Sequence, residues 1–230
     1  MTRHDSHPDI ALVARAIGEP ARAAMLQALV GGQALSAGEL SRRASVAPAT
    51  ATAHLRRLVE SGLVVSRSSG RHRFFALAGA DAAAVIEALA CIASASKSEP
   101  RDGSDDRALR FARTCYDHLA GALGVMVTDA LLGRGIIAGT SDYQVSPRGE
   151  EWLASLDIDV ETLRNTRRSF VRPCLDWSER RPHVAGAVGA AIAGAMLERR
   201  WLARIDGTRA VRLTLRGREG LYRSLGLQLR

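Results

Sequence analysis

Apolar positions recur at helical spacing through Ile10, Val13, Ala14 and Ile17, and again through Met25, Leu26 and Leu29. This pattern predicts helix over residues 9–30, interrupted near Gly18 to Pro20 and ended by Gly31-Gly32. Ser36 and Glu39 then stand at capping-box spacing ahead of a short helix, Ala37 to Ala44. A tight turn at Ser45 to Ala47 leads into Pro48, a residue suited to the first turn of a helix reaching about Glu60. From Leu63 the pattern changes. Leu63-Val64-Val65 reads as a strand, Ser68-Ser69-Gly70 as its turn, and Arg73 to Leu77 as the returning strand. Asp81 is placed to cap a last helix running to about Ala95.

Helix, helix, helix-turn-helix, hairpin, helix is the order of a winged helix. A helix that reads DNA needs an apolar stripe for docking and a short polar face that enters the major groove. Ala51, Leu55, Leu58 and Val59 are expected to form the stripe, with Ala49, Thr50, Thr52, Ala53, His54, Arg56 and Arg57 exposed. Thr hydroxyls and His54 reach base edges or phosphates in this reading, and Arg57 clamps phosphate. Arg67, Arg71, His72 and Arg73 cluster at the hairpin tip, where a narrow minor groove or the backbone would be held.

The stretch from Ser36 to Val64, with its Leu-x-x-Ser-Gly-Leu-Val ending and a wing carrying Gly70, Arg71 and Phe74-Phe75, resembles the ArsR family of small bacterial repressors. The resemblance spans roughly residues 9–93. It implies a homodimer paired through the first and last helices of the domain, here Ile10 to Ile17 and Ala82 to Ala93. Two metal sites familiar in that family have no counterpart. The helix Ser36-Ala-Gly-Glu-Leu-Ser carries no thiol, and the last helix, Asp81 to Cys91, carries no His.

A linker, Ser94 to Arg107, rich in Ser, Pro, Gly and alternating charge, separates a second region. The domains are therefore expected at 1–94 and 108–230, joined by 95–107. Residues 108–230 read as an internal repeat of two degenerate winged-helix-like units. Arg113-Thr-Cys115-Tyr-Asp117-His118 parallels Arg172-Pro-Cys174-Leu-Asp176-Trp177, with Trp177 in the place of His118 and a loop at Ser178 to Pro182 before His183. The tails also match, Val145-Ser-Pro-Arg-Gly with Leu213-Thr-Leu-Arg-Gly, and are expected to form a turn ahead of a hairpin and a capped helix. The Cys-x-x-His spacing of Cys115 and His118 is expected to put both side chains on one helical face or in one turn, while an eight-residue gap separates Cys174 from His183.

Cys115, His118, Cys174, Asp176 and His183 are thus candidate metal ligands, since thiolate and imidazole suit zinc and softer ions. Three readings stay open for the thiols: buried packing, a thiophilic metal or metalloid site, or a redox-sensitive pair. Arg113 and Arg172 stand beside the thiols and would lower their pKa. Space beside Trp152, Trp177 and Trp201 is an alternative place for an apolar effector.

Composition narrows the function class. Of 230 residues, 47% are hydrophobic and 24% charged, so two packed domains are expected, mainly helical with small hairpins. The net charge of +8 is carried almost wholly by Arg, Lys97 being the one Lys. That balance suits a polyanion, although a GC-rich genome would produce the same Arg bias. Three scattered cysteines make no disulfide framework. No apolar run is long enough to span a bilayer, and the polar N-terminus is unlike a signal peptide, so a cytoplasmic protein is expected. The absence of a phosphate loop, Gly-x-Ser-x-Gly elbow or HExxH motif argues against an enzyme. The expected function is a homodimeric DNA-binding repressor released from its operator by an effector in the C-terminal domain, a thiophilic ion or a small molecule. The alternatives are a thiol-based redox regulator and a DNA-binding protein whose C-terminal domain only oligomerises.

Overall fold

The computed structural model describes residues 8–95 and 103–229. It divides into two units, residues 1–86 and 87–230. Most of the expected linker lies outside the described residues.

In the first unit, α1 (Ile10–Ile17) and α2 (Pro20–Leu29) are followed by a short strand, β1 (Leu35–Ser36), then α3 (Ala37–Arg43) and α4 (Pro48–Glu60). The strands β2 (Val64–Ser69) and β3 (His72–Leu77) form the wing, and α5 (Ala80–Ala95) begins at its end. β1, unanticipated from the pattern, pairs with β3 and completes a three-stranded sheet of order β1-β3-β2.

Local chemistry sets these elements. Glu19 caps α2 through the amides of Ala21 and Arg22, while Pro20 fills a position whose N–H would have no partner. Arg22 reaches back to donate to the carbonyls of Ala16 and Arg15, which α1 leaves unpaired at its end. Ser36 and Glu39 form a complete capping box on α3. Between α3 and α4 the turn needs a left-handed residue, Ser45, and the Ser41 hydroxyl fixes it by donating to the Val46 carbonyl at 2.6 Å. Met25, Leu26, Leu29, Leu40, Leu55 and Leu58 are sealed inside. Each fully buried Leu of this kind contributes about 1.5–3 kcal/mol.

The second unit opens with α6 (Ser104–Phe111), the hairpin β4 (Arg113–Cys115) and β5 (His118–Ala120), and α7 (Gly121–Gly133). A small hairpin, β6 (Ile137–Ala138) and β7 (Gln144–Val145), precedes α8 (Pro147–Ala154) and α9 (Val160–Arg164). The succession then recurs as β8 (Arg172–Leu175), β9 (Pro182–Ala185), α10 (Gly186–Glu198), β10 (Leu202–Arg204), β11 (Val211–Leu213) and α11 (Leu215–Leu225).

The parallels are close. Gly121 and Gly186 open α7 and α10 with φ of +81° and +83°, and a Cβ on either would fall within 2.7 Å of a backbone carbonyl oxygen. Ser146 and Thr214 cap α8 and α11 through the amides of Gly149 and Gly217. The Arg-Gly pairs therefore lie in the first turn of the capped helices, after the hairpins, and not in turns ahead of them. Leu123, Val127, Leu131, Val188, Ile192, Met196 and Leu221 form the shared core. Two tryptophans serve packing: Trp201 lies against Gly220, and Trp177 lies beneath Arg113 at 4.6 Å. Among the described residues no helix is long and apolar enough to cross a membrane.

Candidate nucleic-acid interface and a buried cysteine–histidine cluster

The apolar stripe of α4 consists of Ala51, Leu55 and Leu58, all buried, while Val59 is exposed rather than part of it. With one face docked, α4 presents Ala49, Thr50, Thr52, Arg56 and Arg57 to solvent. The Thr52 hydroxyl donates to the Pro48 carbonyl at 2.9 Å, on the exposed face of the helix. Arg56 pairs with Glu60 one turn on. Arg67, Arg71, His72 and Arg73 are exposed along the wing, whose two-residue turn is made by Gly70 at φ +58° and Arg71. His54 stands apart from this set. Its ring is largely buried, with Nδ1 3.3 Å from Arg22 Nη1 and 3.5 Å from Glu19 Oε2, so it fastens α4 to the start of α2.

Sequence alone does not give the arrangement in the second unit. Cys115 faces His118 across the β4–β5 hairpin, and Cys174 faces His183 across β8–β9, each pair in direct register. The ligand pairs are therefore cross-strand partners rather than neighbours on a helix. His183, not Trp177, occupies the place of His118. The two hairpins bring these side chains together so that one ligand atom from each lies within 4.8 Å of every other. Cys115, His118 and His183 are buried and Cys174 partly so. The two Nε2 atoms face each other at 3.2 Å.

Behind each imidazole stands a carboxylate. His118 Nδ1 is 3.4 Å from Asp117 Oδ1, and His183 Nδ1 is 3.2 Å from Asp176 Oδ2. Asp117 is gripped by Arg168 at 2.6 and 3.3 Å. Asp176 accepts from Arg113 at 2.8 Å, from the Gly121 amide at 2.7 Å, and from Ser178 and Glu179. Its oxygens are thus fully engaged, and it lies behind His183 instead of within the four-membered cluster. Arg113 and Asp176 are both wholly enclosed.

The electrostatics follow from these contacts. The Cys115 thiol donates toward Cys174, holding the Cys174 thiol far below its ordinary range despite burial, with the two imidazoles adding to the effect. Cys115 is raised correspondingly, by that same hydrogen bond and by burial. Burial opposes charge on His183, but Asp176 and Cys174 raise it overall. Burial likewise opposes charge on Asp176, yet His183, Arg113 and the Gly121 amide keep it strongly depressed. The arginines do not activate the thiols directly. Arg113 is committed to Asp176, and Arg172 donates to the Pro173 carbonyl. Arg168, absent from the sequence-based candidates, has no motif to mark it; only the fold brings it to Asp117.

Comparison with known proteins completes the picture. The helix-turn-helix domain family matches residues 17–67. An uncharacterized HTH-type transcriptional regulator of Bacillus subtilis (strain 168), YdfF, is 40% identical over 225 residues, covering 97% of this chain and 100% of that protein. Among solved structures, the transcriptional repressor BigR from Xylella fastidiosa is 31% identical, with a TM-score of 0.34 over 36% of this chain and 85% of that one. Reduced HlyU from Vibrio cholerae is 29% identical, with a TM-score of 0.33 over 36% and 85% of the two chains. The family's role is regulatory rather than enzymatic. With its winged helix and the ArsR-like pattern of residues 36–64, the chain belongs to the HTH-type transcriptional regulators.

Proposed function

We propose that this regulator is a cytoplasmic homodimeric repressor that grips an operator through α4 and the wing, and that an effector held in its second unit releases it. The observation carrying this reading is the face of α4: small and hydroxyl-bearing residues, Ala49, Thr50 and Thr52, stand exposed opposite three buried anchors, flanked by arginines on the same helix and on the wing. Small side chains let the backbone approach base edges, and the arginines neutralise phosphates. Dimerisation is supported by apolar side chains left in solvent, Ile10 and Leu12 on α1 and Val85, Leu89 and Ile92 on α5, the last three at helical spacing.

The second unit has a physical route to α5. The loop joining Cys174 to His183 holds the last turns of that helix: Arg180 donates to the Cys91 carbonyl at 2.7 Å, and the Ser94 hydroxyl to the Trp177 carbonyl at 3.0 Å. A ligand that shifts this loop acts on the helix proposed to set dimer spacing. By linkage, such an effector binds the DNA-free form more tightly than the DNA-bound form.

Fluorescence anisotropy tests this reading. The reduced full-length protein is titrated onto labelled DNA from upstream of its gene, then challenged with thiophilic ions. Tight, salt-sensitive binding of a palindromic site is expected. Arg71→Ala should weaken all sequences alike and lower the salt slope by about one. Binding that discriminates no sequence from another would instead favour a chain whose second unit only oligomerises. A thiol-redox reading draws on Cys115 and Cys174 as well; release by diamide but by no ion would favour it.

A further inference from the structure

We infer that the second unit carries a closed, four-coordinate site for one divalent zinc-type cation, with Cys115, His118, Cys174 and His183 as its complete set of ligands. This names the effector class of the proposed function, and it rests on that reading only for the step from ion to DNA.

Geometry is the first argument. An ion held tetrahedrally about 2.0–2.1 Å from two imidazole nitrogens sets those nitrogens about 3.3 Å apart. His118 Nε2 and His183 Nε2 are 3.2 Å apart. Two sulfurs at about 2.3 Å from the same ion complete a tetrahedron whose longest edge is about 3.8 Å. The whole ligand set already lies within 4.8 Å.

Orientation is the second argument. A metal-binding His is aimed by a carboxylate or carbonyl on its other nitrogen, which fixes the tautomer and turns a lone pair toward the ion. His118 has that support from Asp117, and Asp176 stands 3.2 Å from His183 Nδ1, close enough to fix its charge although no hydrogen bond forms. Both carboxylates are themselves fixed by arginines, Arg168 and Arg113. Glycine lets each helix sit tightly on the strand that leads into it, beside the opposite histidine. A Cβ at Gly124 would fall 2.7 Å from the Leu119 carbonyl oxygen and 3.7 Å from the His183 Cβ. At Gly189 it would fall 2.6 Å from the Val184 oxygen and 3.3 Å from the His118 Cβ.

Donor chemistry selects the ion. Two thiolates carry two negative charges, which a divalent cation cancels inside a buried site. A set of two sulfurs and two imidazoles, with no oxygen ligand, favours Zn2+ or Cd2+ over Mg2+, Ca2+ and Mn2+. Because all four positions are filled by the chain, no place remains for a reacting water, in keeping with a regulatory or structural ion. Each hairpin supplies one thiol and one imidazole, so the ion staples the two halves of the unit together.

The test uses full-length protein, reduced, stripped with a chelator and titrated with Co2+, then Zn2+. One Co2+ per chain is expected, with visible bands of tetrahedral intensity and a thiolate-to-cobalt charge-transfer band, both abolished by stoichiometric Zn2+. Cys115→Ser and Cys174→Ser should lose the charge-transfer intensity. As those variants risk misfolding, Asp117→Asn provides a second measure: it keeps every ligand and should weaken Zn2+ binding about tenfold to a hundredfold. Cys91→Ser should leave binding unchanged. Folded protein that takes up no Co2+, a weak octahedral spectrum, or binding lost with Cys91 would each overturn the site. A loaded site that leaves operator affinity unchanged would uphold it and overturn only the effector role. Operator release by another signal, in folded protein that takes up no Co2+, would overturn the site and leave the repressor standing.

Discussion

The two units solve the same problem, fixing small helices and hairpins, by different means. In the winged helix most polar devices are local, such as Ser36 with Glu39, Glu19 with the amides of Ala21 and Arg22, and Ser41 with Val46. The long reach of His54 to Arg22 and Glu19 stands apart from them. In the second unit such devices are remote. Asp176 bonds Arg113 and the Gly121 amide across 63 and 55 residues, and His118 meets His183 across 65. A local device secures one element, whereas a remote one secures the relation between elements. The second unit should therefore fail cooperatively when one member of its polar knot is removed, and the first should lose stability piecemeal.

The sharpest way to break that contrast is Asp176→Asn. It strands the Arg113 guanidinium, wholly enclosed, without its counter-charge. Breaking a buried ion pair from one side costs about 3–5 kcal/mol. All three tryptophans, Trp152, Trp177 and Trp201, belong to the second unit, so their fluorescence follows that unit alone. Chelated Asp176→Asn should unfold by this probe at much lower denaturant, while amide exchange over residues 20–77 stays as in the parent. Equal loss in both units would end the contrast.

Legibility in the sequence follows the same division. The capping box, Pro48 and the change of period at Leu63 each lie within a few residues of what they specify, so α3, α4 and the wing could be read directly. β1 escaped because a two-residue strand has no period; only its pairing with Phe74 and Phe75 defines it. Helical spacing puts His54 on the exposed face because it gives a direction but not the Glu19 and Arg22 that wait there. The four cluster residues were identifiable as chemistry, through Cys and His in parallel segments. Their cross-strand register was not, since Cys115 is separated from His118 by a tight turn and Cys174 from His183 by a longer loop. Asp176 looked like a ligand by type; its role behind His183 depends on Arg113 and Gly121, which no spacing reveals.

A second comparison pairs two glycines in the first turns of their helices. At Gly149 a Cβ would sit 2.1 Å from the Ile136 carbonyl oxygen and 2.8 Å from a Val145 methyl. Gly149→Ala should therefore force β6 away from α8, at a cost on the order of 3 kcal/mol. At Gly38 a Cβ would meet only the end of the Arg42 side chain at 3.7 Å. Gly38→Ala should stabilise α3 by about 0.4–1 kcal/mol, mainly by restricting the unfolded chain. Opposite signs are expected in chemical denaturation, the first read by tryptophan fluorescence and the second by amide exchange in α3.

The smallest effect expected is at Glu39, and its pH dependence makes it diagnostic. The Glu39 carboxylate accepts from the Ser36 hydroxyl at 2.7 Å and the Ser36 amide at 2.8 Å, and these bonds hold its pKa below the ordinary value. Glu39→Ala removes one arm of the capping box and should cost about 1 kcal/mol at neutral pH. A depressed folded pKa means that the carboxylate's contribution is complete above the unfolded value of about 4.3. It shrinks as pH falls below that value and is gone once the folded group protonates. The gap between parent and Glu39→Ala, read from amide exchange in α3, should thus narrow from pH 7 toward about pH 3. Between the parent and Glu39→Gln, which cannot titrate, the gap should narrow in the same way, and between the two variants it should stay flat. Were the Glu39→Ala gap constant with pH, α3 would owe its start to the Ser36 hydroxyl alone, and the local device would be half the size drawn here.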